Sequence, residues 1–197
     1  MTIDIDHVVV CVPDLAGAAR EYEDRFGVSS VDGGWHSGHG TGNRLIPLGD
    51  SYIELLAVVE SKEAKTSVWG TWVRHRAAVP GADAVCLRTD DIEGVSERLD
   101  LQTTTMSRVT PDGVILDWRL AGLKQTLANG VPFFIQWDIP EDLHPGRTPV
   151  EHPAGDVGLM SVTITGDRAL LEPLGDAVPR LEIREGAPAV AFELTAH

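Results

Sequence analysis

The sequence predicts an α+β protein of paired β-α-β-β-β modules, their curved mixed sheets forming a cup, with a C-terminal partial module added. Three observations carry this expectation. An apolar strand pattern leads into a capped amphipathic helix near the N-terminus, the same pattern returns 77 residues later, and short strand-like runs follow each helix.

In the first module, "IDIDHVVVCV" (3–12) is β-branched and apolar, as expected of a strand covered on both faces. Asp14 follows Pro13 as a helix N-cap. Leu15, Ala18, Ala19, Tyr22 and Phe26 then recur at helical spacing before Gly27 ends the helix. A short strand is expected near Val28 to Val31. After a glycine-rich stretch, "NRLIPLGD" reads as a strand ending in a Gly49-Asp50 turn, and "SYIELLAVV" as its partner.

The second module begins at "ADAVCLRTDDIEGVSERL", where Asp91, Ile92, Val95 and Leu99 fall on Asp14, Leu15, Ala18 and Tyr22. "TTTMSRVT", a Pro111-Asp112-Gly113 turn, "VILDWRLAG" and "PFFIQWDIP" supply three more strands. The last of these aligns with "SYIELLAVV" at an offset of 82, with "KQTLANGV" taking up the extra length. After the linker "HPGRTPVEHPAGD", a strand "GLMSVTIT", a short helix "RALLEPLG" opened by Asp167, and a hairpin of "RLEIREG" with "AVAFELTA" form the partial module. The expected boundaries are 1–70, 82–140 and 155–197, within one compact unit.

Composition excludes several classes of function. The 197 residues are 43% hydrophobic and 23% charged, and no apolar run approaches the roughly 20 residues a bilayer span requires. Thirty acidic against sixteen basic side chains give a formal charge of -14, which disfavours nucleic acid and anionic lipid and points to a small-molecule partner. Cys11 and Cys86 lie inside apolar runs and read as reduced, buried thiols. Without a basic leader pattern, the expected compartment is the cytoplasm. Edges left by the incomplete modules make a homodimer the expected assembly.

Alternation along strands assigns faces. His7 shares a face with Val9 and Cys11, Glu54 with Tyr52 and Leu56, Ala84 with Cys86 and Arg88, and Gln136 with Phe134 and Asp138. Glu54 is the most informative of these, because a carboxylate between Ile53 and Leu55 is costly to bury unless it is paired, protonated or bound to a cation. Its structural alternative is an ion pair with Arg44, Arg88 or Arg108. His7 reads equally as a hydrogen-bonded core histidine, and Gln136 as a satisfied buried amide.

A duplicated β-α-β-β-β unit with His on the first strand and Glu on the last resembles the vicinal oxygen chelate superfamily. More narrowly, "IDHVVVCVPDL", "GHGTGNRLIPLGDSYIELLAV", "SRVTPDGVILDWRLAG", "PFFIQWD" and "HPGRTPVEHPAGD" are similar to its glyoxalase-like family. The resemblance implies a divalent metal (Zn, Mn, Ni or Fe) held from the first and last strands of both modules, at His7, Glu54, Ala84 and Gln136. Ala84 cannot ligate, which leaves His7, Glu54 and Gln136 as the implied metal set and His7 and Glu54 as the implied catalytic pair. His36 and His39 in the glycine-rich loop, with His144 and His152 near the linker, are candidate compensating donors. His36, His39, Asn43, Arg108, Trp118 and Gln136 are the candidate substrate contacts, with Arg108 and Arg119 suited to a substrate carboxylate. Trp35, Trp72, Trp118 and Trp137 belong either to the core or to an aromatic wall. The implied activity is a metal-assisted lyase, isomerase or dioxygenase on a small oxygenated substrate. The alternative is a metal-free drug- or aromatic-binding protein of the bleomycin-resistance type.

Overall fold

The computed structural model describes residues 2–110, 113–171 and 178–195. The first module runs β1 (Ile3–Cys11), α1 (Leu15–Phe26), β2 (Val31–His36), β3 (Thr41–Pro47) and β4 (Tyr52–Val58). Two helices then follow, α2 (Ser61–Ala64) and α3 (Val68–Arg76). The second module runs β5 (Ala84–Thr89), α4 (Ile92–Leu99), β6 (Thr103–Val109), β7 (Ile115–Ala121), α5 (Leu123–Asn129) and β8 (Phe133–Trp137).

The duplicated helices start and stop by the same chemistry. The Asp14 carboxylate accepts from the Gly17 N–H and the Asp91 carboxylate from the Gly94 N–H, each satisfying a donor the first turn leaves free. Gly27 closes α1 at φ 65° and Asp100 closes α4 at φ 51°. Three segments depart from the expected pattern, the first being the second strand, expected near Val28 to Val31 and found as β2 within the glycine-rich stretch. "KQTLANGV" is not a plain connection but contains α5, and residues 61–76, left without structure in the sequence reading, carry α2 and α3.

Eight strands form one mixed sheet in the order β2-β3-β4-β1-β5-β8-β7-β6. β1 runs parallel to β4 and β5 parallel to β8, while β1 and β5 lie antiparallel at the centre with His7 opposite Cys86. The sheet curls until its two edge strands meet: the Arg108 guanidinium on β6 donates to the Gly33 carbonyl on β2. The result is the nearly closed cup predicted from sequence.

Curling divides the apolar residues into two layers. Ile5, Val8, Val10, Ile53, Leu55 and Phe134 point outward, against Ala18 of α1 and Ile92 and Val95 of α4. Val9, Cys11, Leu56, Cys86, Trp118 and Ile135 point inward. Each large aliphatic removed from water contributes roughly 1.5–3 kcal/mol, so this two-sided burial is what holds the polar hollow described below in shape.

The C-terminal segment contains β9 (Gly158–Gly166), α6 (Arg168–Leu171), β10 (Leu181–Glu185) and β11 (Ala189–Thr195). It seals the outer layer, with Leu159, Val162 and Ile164 joining the outward-facing core. Its strands do not form the expected hairpin. β9 lies between the others, parallel to β10 and antiparallel to β11. The expected helix "RALLEPLG" is described only as far as Leu171, and the Pro111-Asp112 part of the expected turn lies outside the described residues.

Candidate active site

The hollow of the cup is a cavity of about 660 Å³. Polar side chains from the first module gather on one side: His7 from β1, His36 from the end of β2, His39 from the β2–β3 turn, Asn43 from β3, and Tyr52 and Glu54 from β4. The second module contributes Phe133, Ile135, Trp118, Trp137 and Leu120 as an apolar wall, and Arg108 as a cation.

His7 is held from behind. Its Nδ1 lies 2.6 Å from Asp6 Oδ1 and its ring stacks on Tyr52, with centroids 4.5 Å apart. A register shift between Ile5 and His7 on β1 lets adjacent Asp6 and His7 both reach inward partners. Asp6 is fully buried and also receives the Trp137 indole N–H and His144 Nε2, each at 3.0 Å. Burial alone would raise the Asp6 carboxyl, but the hydrogen bonds from His144 and His7 and their charges outweigh it and hold Asp6 below the usual carboxylate range. Asp6 accepts a hydrogen bond from His7 Nδ1, which fixes the ring with Nε2 on the Glu54 side of the cavity.

Glu54 lies at the centre of the polar side. Asn43 Nδ2 donates to its Oε1 at 2.6 Å, His7 Nε2 stands 3.7 Å from Oε2, and His36 Nε2 stands 3.9 Å from Oε1. None of the three arginines considered as partners pairs with it; Arg44, for example, is bound to Asp32. Asn43 packs closely against β2, where a Cβ on Gly33 would come within 2.1 Å of Asn43 Oδ1. Glycine at 33 is therefore a steric condition for this site. His36 anchors its Nδ1 on Thr41 Oγ1 at 3.0 Å, and His39 its Nδ1 on Ser67 Oγ at 2.8 Å. Burial lowers the His36 pKa against the pull of Glu54, with Arg108, His39 and His7 adding to the lowering, so the ring favours its neutral form.

The cavity thus brings together His7, His36, His39, Asn43, Glu54, Arg108 and Trp118. It does not include Gln136, and that expectation is corrected. Gln136 faces the outer layer, where its Oε1 accepts the Ile92 N–H at 2.9 Å; Ile135 is the β8 residue that faces inward. Where the last strand of the first module presents the Glu54 carboxylate, that of the second presents only apolar side chains, Phe133 and Ile135. His144 and His152 are not compensating donors either. His144 is spent on Asp6 and the Gly146 N–H, and His152 bridges the Ser29 N–H and the Pro47 carbonyl. Arg119 pairs with Asp138 and Glu93 at the surface. Trp35 is 57% exposed, while Trp72 stacks on Trp69 beside the inner layer. Sequence reasoning missed Asp6, although an acid beside a histidine in an apolar strand is itself a signal. It also missed Tyr52 and Trp69 as parts of the cavity lining.

The donors around Glu54 suit a divalent ion. Ligands at about 2.0–2.2 Å from a shared ion sit roughly 3–4 Å from one another, and the 3.7 and 3.9 Å separations here are too long for hydrogen bonds. Two imidazole nitrogens and a carboxylate suit Zn, Mn, Ni or Fe(II). Asp6, His7 and Cys86 also have donor atoms within 4.8 Å of one another. That group fits an ion less well, because both Asp6 oxygens are occupied by hydrogen bonds and burial raises the Cys86 thiol well above its ordinary value.

Paired modules folded into one cup, with His on the first strand and Glu on the last, define a member of the vicinal oxygen chelate superfamily. Residues 5–177 match the family model described as "Glyoxalase-like domain", and the chain belongs to that family. It is similar to the crystal structure of a hypothetical protein from Staphylococcus aureus, with a TM-score of 0.68 and 19% identity over 96% of this chain and 88% of that one. It is also similar to the Streptomyces coelicolor methylmalonyl-CoA epimerase in complex with 2-nitronate-propionyl-CoA, with a TM-score of 0.51 and 16% identity over 68% of this chain and 97% of that one. A hypothetical protein from Bacillus halodurans gives a TM-score of 0.51 at 13% identity, over 72% of this chain and 97% of that one. At these identities the likeness concerns the fold. No curated protein sequence matches the chain. Among the described residues, no helix is long and apolar enough to cross a membrane.

Proposed function

We propose that this protein is a metal-assisted enzyme that moves a proton on a small oxygenated substrate, in the isomerase and lyase range of its superfamily, with dioxygenase chemistry on the same donor set as the neighbouring outcome. The observation that carries the reading is the placement of two imidazole Nε2 atoms beside the two oxygens of one buried carboxylate, inside a substrate-sized cavity.

His7, His36 and Glu54 would hold a divalent ion, and such an ion supplies Lewis-acid polarisation of a carbonyl or of two adjacent oxygens. Asp6 keeps His7 in one tautomer and one orientation. Asn43 fixes the direction of the Glu54 carboxylate through its amide N–H. His39, anchored through Nδ1 on Ser67, presents Nε2 to the cavity and is the group proposed to take and return the proton. Trp69, Trp118 and Trp137 exclude water and grip an apolar portion of the substrate.

Metal analysis of protein purified without chelator tests the reading. One equivalent of divalent ion in the wild type, lost in both His7→Ala and Glu54→Gln, supports it. The tryptophan wall favours one other reading, a metal-free aromatic-binding protein; metal-free wild type that still binds an aromatic compound would establish that reading instead. Solvent-deuterium incorporation into diketones, acyl thioesters and catechols, followed by NMR, then sorts the substrates.

A further inference from the structure

Arg108 is a charged group the reaction scheme above leaves unused. It lines the cavity at 8% exposure, and its only hydrogen bond among the described residues is the one to the Gly33 carbonyl. It forms no ion pair with any described carboxylate, and the hydrogen bond that Glu54 accepts comes from Asn43. Buried guanidinium groups are ordinarily paired, because desolvating the charge is costly. A second donor sits in the same hollow. The Tyr52 side chain is buried, and its hydroxyl has no hydrogen-bond partner among the described residues. A phenolic hydroxyl carries a proton it can donate to an anion.

Two unspent donors in a cavity with aromatic walls call for an anion on an apolar body. We propose that the substrate carries a monoanionic carboxylate, bound by the Arg108 guanidinium with the Tyr52 hydroxyl as second donor, and an aryl or alkyl portion against Trp69 and Trp118. Carboxylate matches the planar guanidinium fork. A phosphate monoester would bring close to two negative charges into a hollow that already holds Glu54, and a single buried cation does not offset both. The proposal takes this cavity as the reaction site and so rests on the function proposed above.

The test compares phenylacetate, phenylacetamide and phenyl phosphate, read by isothermal titration and tryptophan fluorescence on chelator-treated protein. Phenylacetate is expected to bind at least tenfold more tightly than the amide. That preference should fall to near unity in Arg108→Gln and by about threefold in Tyr52→Phe, which keeps the ring stacked on His7. The wild-type comparison needs no variant, so a misfolded Arg108→Gln leaves it decisive together with Tyr52→Phe. Equal binding of acid and amide overturns the proposal, as does phenyl phosphate binding more tightly than phenylacetate. A preference that appears only after Zn or Mn is added, and survives in Arg108→Gln, would assign the carboxylate to the ion and also overturn it. Wild type that holds no metal when purified without chelator, and that prefers phenylacetate, leaves this proposal standing while removing the metal reading.

Discussion

The two modules repeat a fold but not a chemistry. Glu54 on β4 and Ile135 on β8 both face into the cup from the last strand of their module, each beside the module's first strand, with Val9 opposite Glu54 and Arg88 opposite Ile135. One is a carboxylate among imidazoles and an amide; the other is a hydrocarbon among tryptophans and a phenylalanine. Duplicated architecture therefore supplies a floor with reactive groups and a wall that excludes water, and the site is built from the difference.

Variants at these inward-facing positions should separate. Glu54→Gln and His7→Ala are expected to give the largest effect, a loss of divalent-metal affinity exceeding the roughly 10–100-fold that removal of an outer hydrogen-bond partner costs. Stability of Glu54→Gln should stay within about 1 kcal/mol of wild type, because the Gln carbonyl still accepts from Asn43. Competition with a fluorescent chelator and thermal unfolding measure the two quantities. Metal affinity surviving both substitutions would erase the contrast between floor and wall.

Asp6→Asn comes next. It removes the charge that faces His7, His144 and Trp137 inside the protein, at a cost of about 3 kcal/mol, and it frees the orientation of His7. The pH dependence carries a definite sign. The Asp6 carboxyl is depressed in the folded state from an ordinary value of 3.8, so its contribution is complete above that value and is lost as pH falls below it toward the depressed one. Denaturant midpoints of wild type should fall with acid over that range more steeply than those of Asp6→Asn. Parallel acid curves would show that Asp6 does not hold the floor together.

Ile135→Ala gives the opposite signature. Removing a side chain that is 2% exposed leaves a cavity in the inner layer and costs about 3 kcal/mol, with metal content unchanged. If metal is lost as well, the wall is shaping the ligand set and the division of labour between the modules is less complete than proposed.

Much of this division was legible in the sequence. Asp14 and Asp91 capping helices at one spacing exposed the duplication, and the resemblance to the superfamily paired His7 with Glu54, which the structure brings into one cavity. Asp6 escaped because strict alternation assigns it to the face opposite His7, and only the irregular register of β1 reunites them. Gln136 was misplaced for a related reason. Aligning "PFFIQWDIP" to "SYIELLAVV" at an offset of 82 makes Gln136 the counterpart of Glu54, whereas in the structure Val9 lies opposite Glu54 and its repeat equivalent Cys86 lies opposite Phe133, three residues before Gln136. A slip by an odd number of residues exchanges every side chain between the two faces, and composition gives no warning, since both faces of β8 are apolar.

Gln136→Ala probes that slip with the smallest expected effect. Gln136 Oε1 is the acceptor for the Ile92 N–H at the first turn of α4, a donor the helix cannot satisfy itself, while Asp91 serves the Gly94 N–H beside it. Loss of that acceptor should destabilise the protein by about 1 kcal/mol, comparable to loss of a helix cap, and should speed amide exchange at the start of α4. Metal content and phenylacetate binding should not change, because the amide lies on the far side of the sheet from the cavity. A variant of normal stability that loses its metal would put Gln136 inside the cup and Ile135 outside, which would return to the second module the ligand that this register assigns to helix capping.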